Sequence, residues 1–416
     1  MTTATTRPVD YRELMKKVEQ VVGAIQRADD IGTTIRTVMD GLITQFREEL
    51  GILGGRLYRR QGKVYVLQAT FGEAKPAPPG LEVPRSYGPI QLVLEHGAVF
   101  MTPDDPRVDP QFEDRIGARQ FAAVEVGEED YLLAVDVATD VDRDDILFSL
   151  GILRHSLNQK IRQERMVNIF NEARKIQASI LPRREPEFGG FEVCGRTRQM
   201  EDVGGDFYDY IPITEKILGL AIADVSGHGL PAALQVRDIY MGLRMGMARD
   251  FKIVRTVERL NQIIHQSTLT SRFVSMFYGE LEISGLFIYV NAGHPPPFRL
   301  TPAGEVDRGV VDFLEEGGPV LGPLPDAAYE RGMVRTRPGD LLVLYTDGIT
   351  ETRGRVAGAL HSEEYGIDRL VATCREHRHL PASELVDAVF ADLDRFTDGR
   401  PPSDDRTLLV VRRTGS

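Results

Sequence analysis

Cysteine is scarce: Cys194 and Cys374 are the only two in 416 residues. Two thiols cannot build a disulfide framework or a four-thiolate zinc site. Free thiols and a cytoplasmic location are the expectation. An excess of cations is also missing. Lys and Arg total 50 against 62 Asp and Glu, a net charge of −12. A broad nucleic-acid surface needs clustered cations, so no nucleic-acid partner is expected. No apolar run approaches the ~18 residues of a membrane span. The opening MTTATTRPVDYRELMKK lacks the apolar core of a secretory signal. No repeat of solenoid period is present. What remains is an ordinary globular composition, 42% hydrophobic and 27% charged. The length suggests about two to three domains.

Pattern changes divide the chain. Residues 10–142 read as one small mixed domain. Helical stretches over 11–28 and 31–50 precede strand-like segments at 55–59, 64–70, 98–102, 121–126 and 131–136. Gly127-Glu128-Glu129-Asp130 reads as a hairpin turn. Residues 73–86, rich in Pro and Ala, read as a loop. The period then changes. Residues 143–182 form a helical linker, with Ile146, Leu150, Leu153 and Leu157 at heptad spacing. A second run, Met166, Ile169, Ala173, Ile176 and Ile180, is out of phase with the first. The linker is either a long helix packed on its own domains or a two-stranded coiled coil joining a homodimer. The spacing favours the coiled coil. LPRREPEFGG ends it. From 190 to 414 strands and helices alternate: strands at 218–223, 274–281, 286–291, 341–345 and 406–411, helices at 231–248, 367–377 and 383–396.

Four acidic clusters stand beside these strands. They are EDVGGDFYD with Asp206, ADVSGHG with Asp224, YTDG with Asp347, and DDRT with Asp404 and Asp405. Aspartate is a poor strand former. Beside glycine, at a strand end, the chain can turn sharply and carry a carboxylate into a cleft. Any one such turn is ordinarily structural; four in one domain are less so. Converging carboxylates repel and need a cation, and oxygen ligands suit Mg²⁺ or Mn²⁺. A pair of such ions can activate a water toward a phosphoryl group.

The runs VGGDFYD, ADVSGHGLPAAL, NAGHPPP, YTDGITE and DDRTLLVVR, in that order, resemble the SpoIIE-like branch of the PPM (type 2C) protein phosphatases. EARKIQASILP, at 172–182, resembles the helix that precedes the catalytic domain in regulatory members. The resemblance spans about 172–413 and implies an α-β-β-α sandwich with two Mn²⁺ or Mg²⁺ ions at one end of the paired sheets. It implies catalytic roles for Asp206, Asp224, Asp347 and Asp404. Asp224 would bridge the metals, and the Val225 carbonyl would be a further ligand. Asp206 would support the second metal directly or through water, and Asp347 and Asp404 would complete the first site. Asp405 is the alternative to Asp404. The phosphate-gripping arginine of many eukaryotic members has no counterpart here. His228 and His294 have two readings: orienting substrate or protonating the leaving oxygen, or a turn or supporting hydrogen bond, which is the commoner case. Cys194 and Cys374 read as buried small hydrophobes.

The first domain is similar in element order to GAF sensor modules. It holds no cysteine, which excludes a thioether-linked bilin, and His96 is its only histidine. The fold class is therefore α+β: a GAF-like α/β domain, a long linker helix and a C-terminal sandwich. By family analogy the activity implied is hydrolysis of phosphoserine or phosphothreonine on a STAS-type anti-sigma-factor antagonist, under control of the first domain. That domain would bind an unknown small molecule or protein, or only dimerise. An opposing kinase would be a separate protein. A catalytically silent phosphoprotein-binding module and a dimeric scaffold are the competing readings.

Overall fold

A computed structural model describes residues 50–415 apart from 79, 202, 228, 248–251, 268–272, 303–309 and 355–361; before residue 50 it describes only 16, 35, 37 and 41. The helices expected over 11–28 and 31–50 lie almost wholly outside the described residues. The chain forms two compact units, 1–168 and 169–416.

The first unit contains β1 (Ile52–Gln61), β2 (Val64–Gly72), β3 (Glu82–Pro84), α1 (Gly88–His96), β4 (Ala98–Met101), α2 (Pro110–Ile116), β5 (Phe121–Val126) and β6 (Tyr131–Val137), and then α3 (Arg143–Ile180) begins. Its sheet is antiparallel, in the order β3-β2-β1-β6-β5-β4. Alternation assigns each strand residue a face. In β5, Ala122, Val124 and Val126 join Leu57, Leu133 and Val135 in one core. Phe121 and Ala123 face the other core, with Ile90 and Val93 of α1 and Ile116 of α2. The expected hairpin turn closes on Val126↔Tyr131, with positive φ at Gly127, Glu128 and Glu129.

Two expectations are corrected in this unit. The loop at 73–86 contains β3, an edge strand paired to β2. Pro84 cannot donate to a ladder, which an edge position tolerates, and Val83 is buried beneath it. The first apolar run of the linker is no intermolecular seam. Ile146, Leu150, Leu153, Leu157 and Ile161 are all buried in the unit's own core. In the second run Met166, Ile169 and Ile176 are 56%, 51% and 50% exposed.

The second unit contains β7 (Phe191–Arg198), β8 (Asp206–Thr214), β9 (Ile217–Val225), α4 (Leu230–Met247), α5 (Ile253–Gln266), β10 (Val274–Glu282), β11 (Leu286–Ala292), β12 (Phe298–Leu300), β13 (Val311–Phe313), β14 (Gly317–Gly318), β15 (Gly332–Arg335), β16 (Leu341–Tyr345), α6 (Asp347–Thr350), β17 (Arg353–Gly354), β18 (Glu363–Glu364), α7 (Gly366–Glu376), α8 (Ala382–Phe396) and β19 (Arg406–Arg413). Two sheets carry it, β14-β11-β10-β9-β8 with β15 on β11, and β13-β12-β16-β19-β7. Between them lie Leu218, Leu220 and Ile222 of β9, Phe277 of β10, Leu342 and Leu344 of β16, and Leu409 and Val411 of β19. The intervening residues face outward. Ala221 and Ala223 meet Val236, Ile239 and Leu243 of α4 and Leu260 of α5. Leu408 and Val410 meet Leu370 of α7 and Leu385, Val389 and Phe390 of α8. The layers are α-β-β-α, as expected. Cys194 and Cys374 both sit in the core under α7 and α8, where burial pushes their thiols up to about 12.

Candidate metal centre

Asp206 opens β8 and Asp224 lies near the end of β9, directly opposite it in the antiparallel ladder. Asp347 is the first residue of α6, two residues beyond the end of β16, and Asp404 lies in the turn before β19. Both sheets therefore deliver acids where two hydroxyls join them. Thr346 Oγ1 donates to Asp206 Oδ2 at 2.8 Å and Thr407 Oγ1 donates to the same oxygen at 2.5 Å. Gly348 has no room for a side chain: a Cβ there would overlap the Asp405 carbonyl. This close approach seats Asp347 against the 404–405 turn.

The two adjacent acids of that turn do different things. Asp405 is buried, and both its oxygens are taken by backbone amides. Oδ1 accepts from Met200 N at 2.7 Å, and Oδ2 accepts from Gly205 N at 2.7 Å and Asp206 N at 3.4 Å. Asp404 is exposed, and its Oδ1 accepts only the neighbouring Asp405 N–H, at 2.8 Å. Val225 is buried, and its carbonyl borders Gly205, where a Cβ would stand 2.8 Å from that oxygen.

The charges are crowded. Burial, and then the charges of Asp347, Asp404 and Asp405, push Asp224 up to about 7. Asp206 is 1% exposed; burial and then Asp224 hold it well above the usual carboxylate range, against the pull of the two threonine hydroxyls. Asp347 is raised by burial, then by Asp404 and Glu351. Among the described residues, no three acidic, histidine or cysteine side chains form a finished metal cage. The donor chemistry still fits a hard divalent cation: carboxylate oxygens that repel one another in a partly buried place gain most from a compact positive charge.

The histidines separate as well. His294 is buried with its Nδ1 2.9 Å from Ser275 Oγ, and its backbone exchanges hydrogen bonds with the Asn291 side chain. Burial holds its pKa down at about 3, so it is neutral and unsuited to protonating a leaving group. It takes the supporting role. His228 lies outside the described residues. Sequence reasoning passed over Thr346 and Thr407, although both stand inside the motifs YTDG and DDRT. It also passed over Gln177, although that residue stands inside the run EARKIQASILP.

The family model of Stage II sporulation protein E (SpoIIE) matches residues 214–414. Residues 214–414 of the second unit are a SpoIIE/PP2C-type phosphatase domain. The SpoIIE match contains Asp224, Asp347 and Asp404 and begins just after Asp206. Phosphoserine phosphatase RsbU of Bacillus subtilis is 29% identical over 267 residues, which cover 64% of this chain and 76% of that protein. Phosphoserine phosphatase RsbP of the same organism is 26% identical over 245 residues, 58% of this chain and 56% of that protein. The chain thus spans little more than half of RsbP. The SiaA-PP2C domain of Pseudomonas aeruginosa superposes with a TM-score of 0.53 at 21% identity, over 60% of this chain and 98% of that one. It shows that the SpoIIE-family unit has the PP2C fold.

Proposed function

We propose that this chain is a metal-dependent protein serine/threonine phosphatase acting on a phosphoserine or phosphothreonine of a regulatory protein. The observation that carries the reading is the facing pair Asp206 and Asp224, with Asp347 and Asp404 adding uncompensated charge to Asp224. Asp206, Asp224, Asp347, Asp404 and the Val225 carbonyl would hold two Mn²⁺ or Mg²⁺ ions. Bound there, the ions would lower the pKa of a water and neutralise charge on the phosphoryl group.

The chain's own residues do the rest. Thr346 and Thr407 occupy Asp206 Oδ2 and leave Oδ1 for the site. Asp405 holds the backbone amides of Met200, Gly205 and Asp206 rather than a ligand, which supports Asp404 as the member of the pair proposed for the metal. The names of RsbU and RsbP support phosphoserine as substrate. A STAS-type anti-sigma-factor antagonist is the specific substrate proposed. Residues 10–142 would act as a GAF-like sensor for a small molecule or protein, 143–182 as the linker and 190–414 as the catalytic domain, in a cytoplasmic homodimer. The exposed Met166, Ile169 and Ile176 support pairing through the second half of the linker. No described helix is long and apolar enough to cross a membrane.

The test is hydrolysis of a chromogenic phosphate monoester and of a phosphoserine STAS-type protein, with Mn²⁺ or with EDTA. Activity present with Mn²⁺, absent with EDTA and lost in Asp347→Asn is expected. Binding of the phosphoprotein with no turnover under any condition would instead mark a silent recognition module.

A further inference from the structure

We propose that Gln177 is a positioning residue for the acidic site, clamping the Gly204 peptide so that the following two residues present Asp206 correctly. The inference rests on the phosphatase reading above.

Gln177 lies near the end of α3 and is 3% exposed. A buried amide is costly unless both its ends are paired. Both are paired, and to one residue: Nε2 donates to the Gly204 carbonyl at 2.6 Å, and Oε1 accepts the Gly204 N–H at 3.2 Å. The other side of the same residue is closed by Asp405. A Cβ at 204 would overlap that carboxylate, so only glycine fits between the two side chains. Asp405 then takes the Gly205 N–H at 2.7 Å, and the Gly205 carbonyl accepts Val225 N–H at 3.3 Å. The strand bearing Asp206 is thus gripped from the helix on one side and from the β19 turn on the other. The last turn of the helix is itself anchored, because Ile180 and Leu181 pack against the core beneath α4 and α5. Gln177 touches none of the acids; it acts through the backbone that carries one of them. Misplacing a group that supports a ligand commonly costs about 10–100-fold in metal affinity or activity.

The experiment uses the full chain. Mn²⁺ is titrated by calorimetry into wild type, Gln177→Glu, Gln177→Met and Ser179→Ala, and turnover of p-nitrophenyl phosphate is followed in parallel. Gln177→Glu keeps the shape and sets an acceptor against the Gly204 carbonyl. Gln177→Met keeps the volume and removes both hydrogen bonds. Ser179 is exposed one turn-face away and bonds only the Ile176 carbonyl. Both Gln177 variants should bind Mn²⁺ about 10-fold or more weakly and lose kcat, with KM little changed; Ser179→Ala should match wild type. Folded variants with wild-type Mn²⁺ affinity and kcat, or with lowered urea midpoints and nothing else, overturn the inference alone. A wild-type chain that neither binds Mn²⁺ nor turns over overturns the phosphatase reading, and this inference with it.

Discussion

Thr407 reaches across from one sheet of the sandwich to hold Asp206 of the other, its Oγ1 2.5 Å from Asp206 Oδ2. The same hydroxyl lies 2.8 Å from Thr197 Oγ1, so it is fixed in turn by β7. Asp206 is thereby oriented by the sheet to which it does not belong.

Replacing that hydroxyl by a methyl group tests the link. Thr407→Val should cost about 1–3 kcal/mol, the penalty for leaving a buried acceptor short of a donor. It should also raise the Mn²⁺ concentration needed for half-maximal turnover by about 10-fold. Urea denaturation and a metal titration measure the two effects separately.

Asp404 and Asp405 should fail differently. Asp404→Asn should abolish most metal-dependent turnover, about 10²-fold or more, while leaving the unfolding midpoint near wild type. Asp405→Asn sets an amide N–H₂ against backbone amides that now meet a carboxylate. It should destabilise the domain by about 1–3 kcal/mol, read by chemical denaturation.

Stability without metal should fall as pH rises. Asp224 titrates at about 7 in the fold, far above an unfolded aspartate near 4. The folded chain therefore holds the extra proton between about pH 4 and 7, and the stability it contributes below that window is lost as pH climbs through it. In EDTA, the melting temperature of wild type should decline across this range more steeply than that of Asp224→Asn. Mn²⁺ should remove the difference, because bound metal compensates the same charge.

The two halves of α3 should also respond differently. Leu157→Ala, inside the first unit's core, should cost about 2–5 kcal/mol without changing oligomeric state. Met166→Glu with Ile169→Glu, on the exposed run, should leave the melting temperature near wild type and convert a dimer to monomers. Light scattering coupled to size exclusion reads the second outcome; an unchanged mass would remove the linker from the proposed interface.

Much of this molecule was legible in order and pattern. The apolar run in 406–411 marks a strand buried on both faces, and a strand turns its side chains over at every residue; the fold sends Leu408 and Val410 to the helices and Leu409 and Val411 to the inner core. The turn at 127–130 announced its hairpin. The cluster of motifs ADVSGHG, YTDGITE and DDRTLLVVR placed aspartates at strand ends before any strand had a neighbour. Short helices were less visible. α2 carries Asp109 as its cap, Pro110 in the first turn and Gly117 after the last, yet seven residues show no clear period.

Local pattern determined the elements and which of their faces are apolar, since period 2 and period 3.6 are properties of a single segment. It could not decide what covers each face. The heptad spacing from Ile146 to Leu157 favoured a partner helix, but a sheet can cover the same apolar stripe, and only the tertiary structure put the sheet there. The same holds for the paired acids. Asp404 and Asp405 are neighbours with identical side chains, and what separates their surroundings is the Gly205 amide, 200 positions from Asp405 in the chain and 2.7 Å from it in the fold. A hydrogen bond depends on distance and direction in space, and those are decided only when the two sheets close on each other.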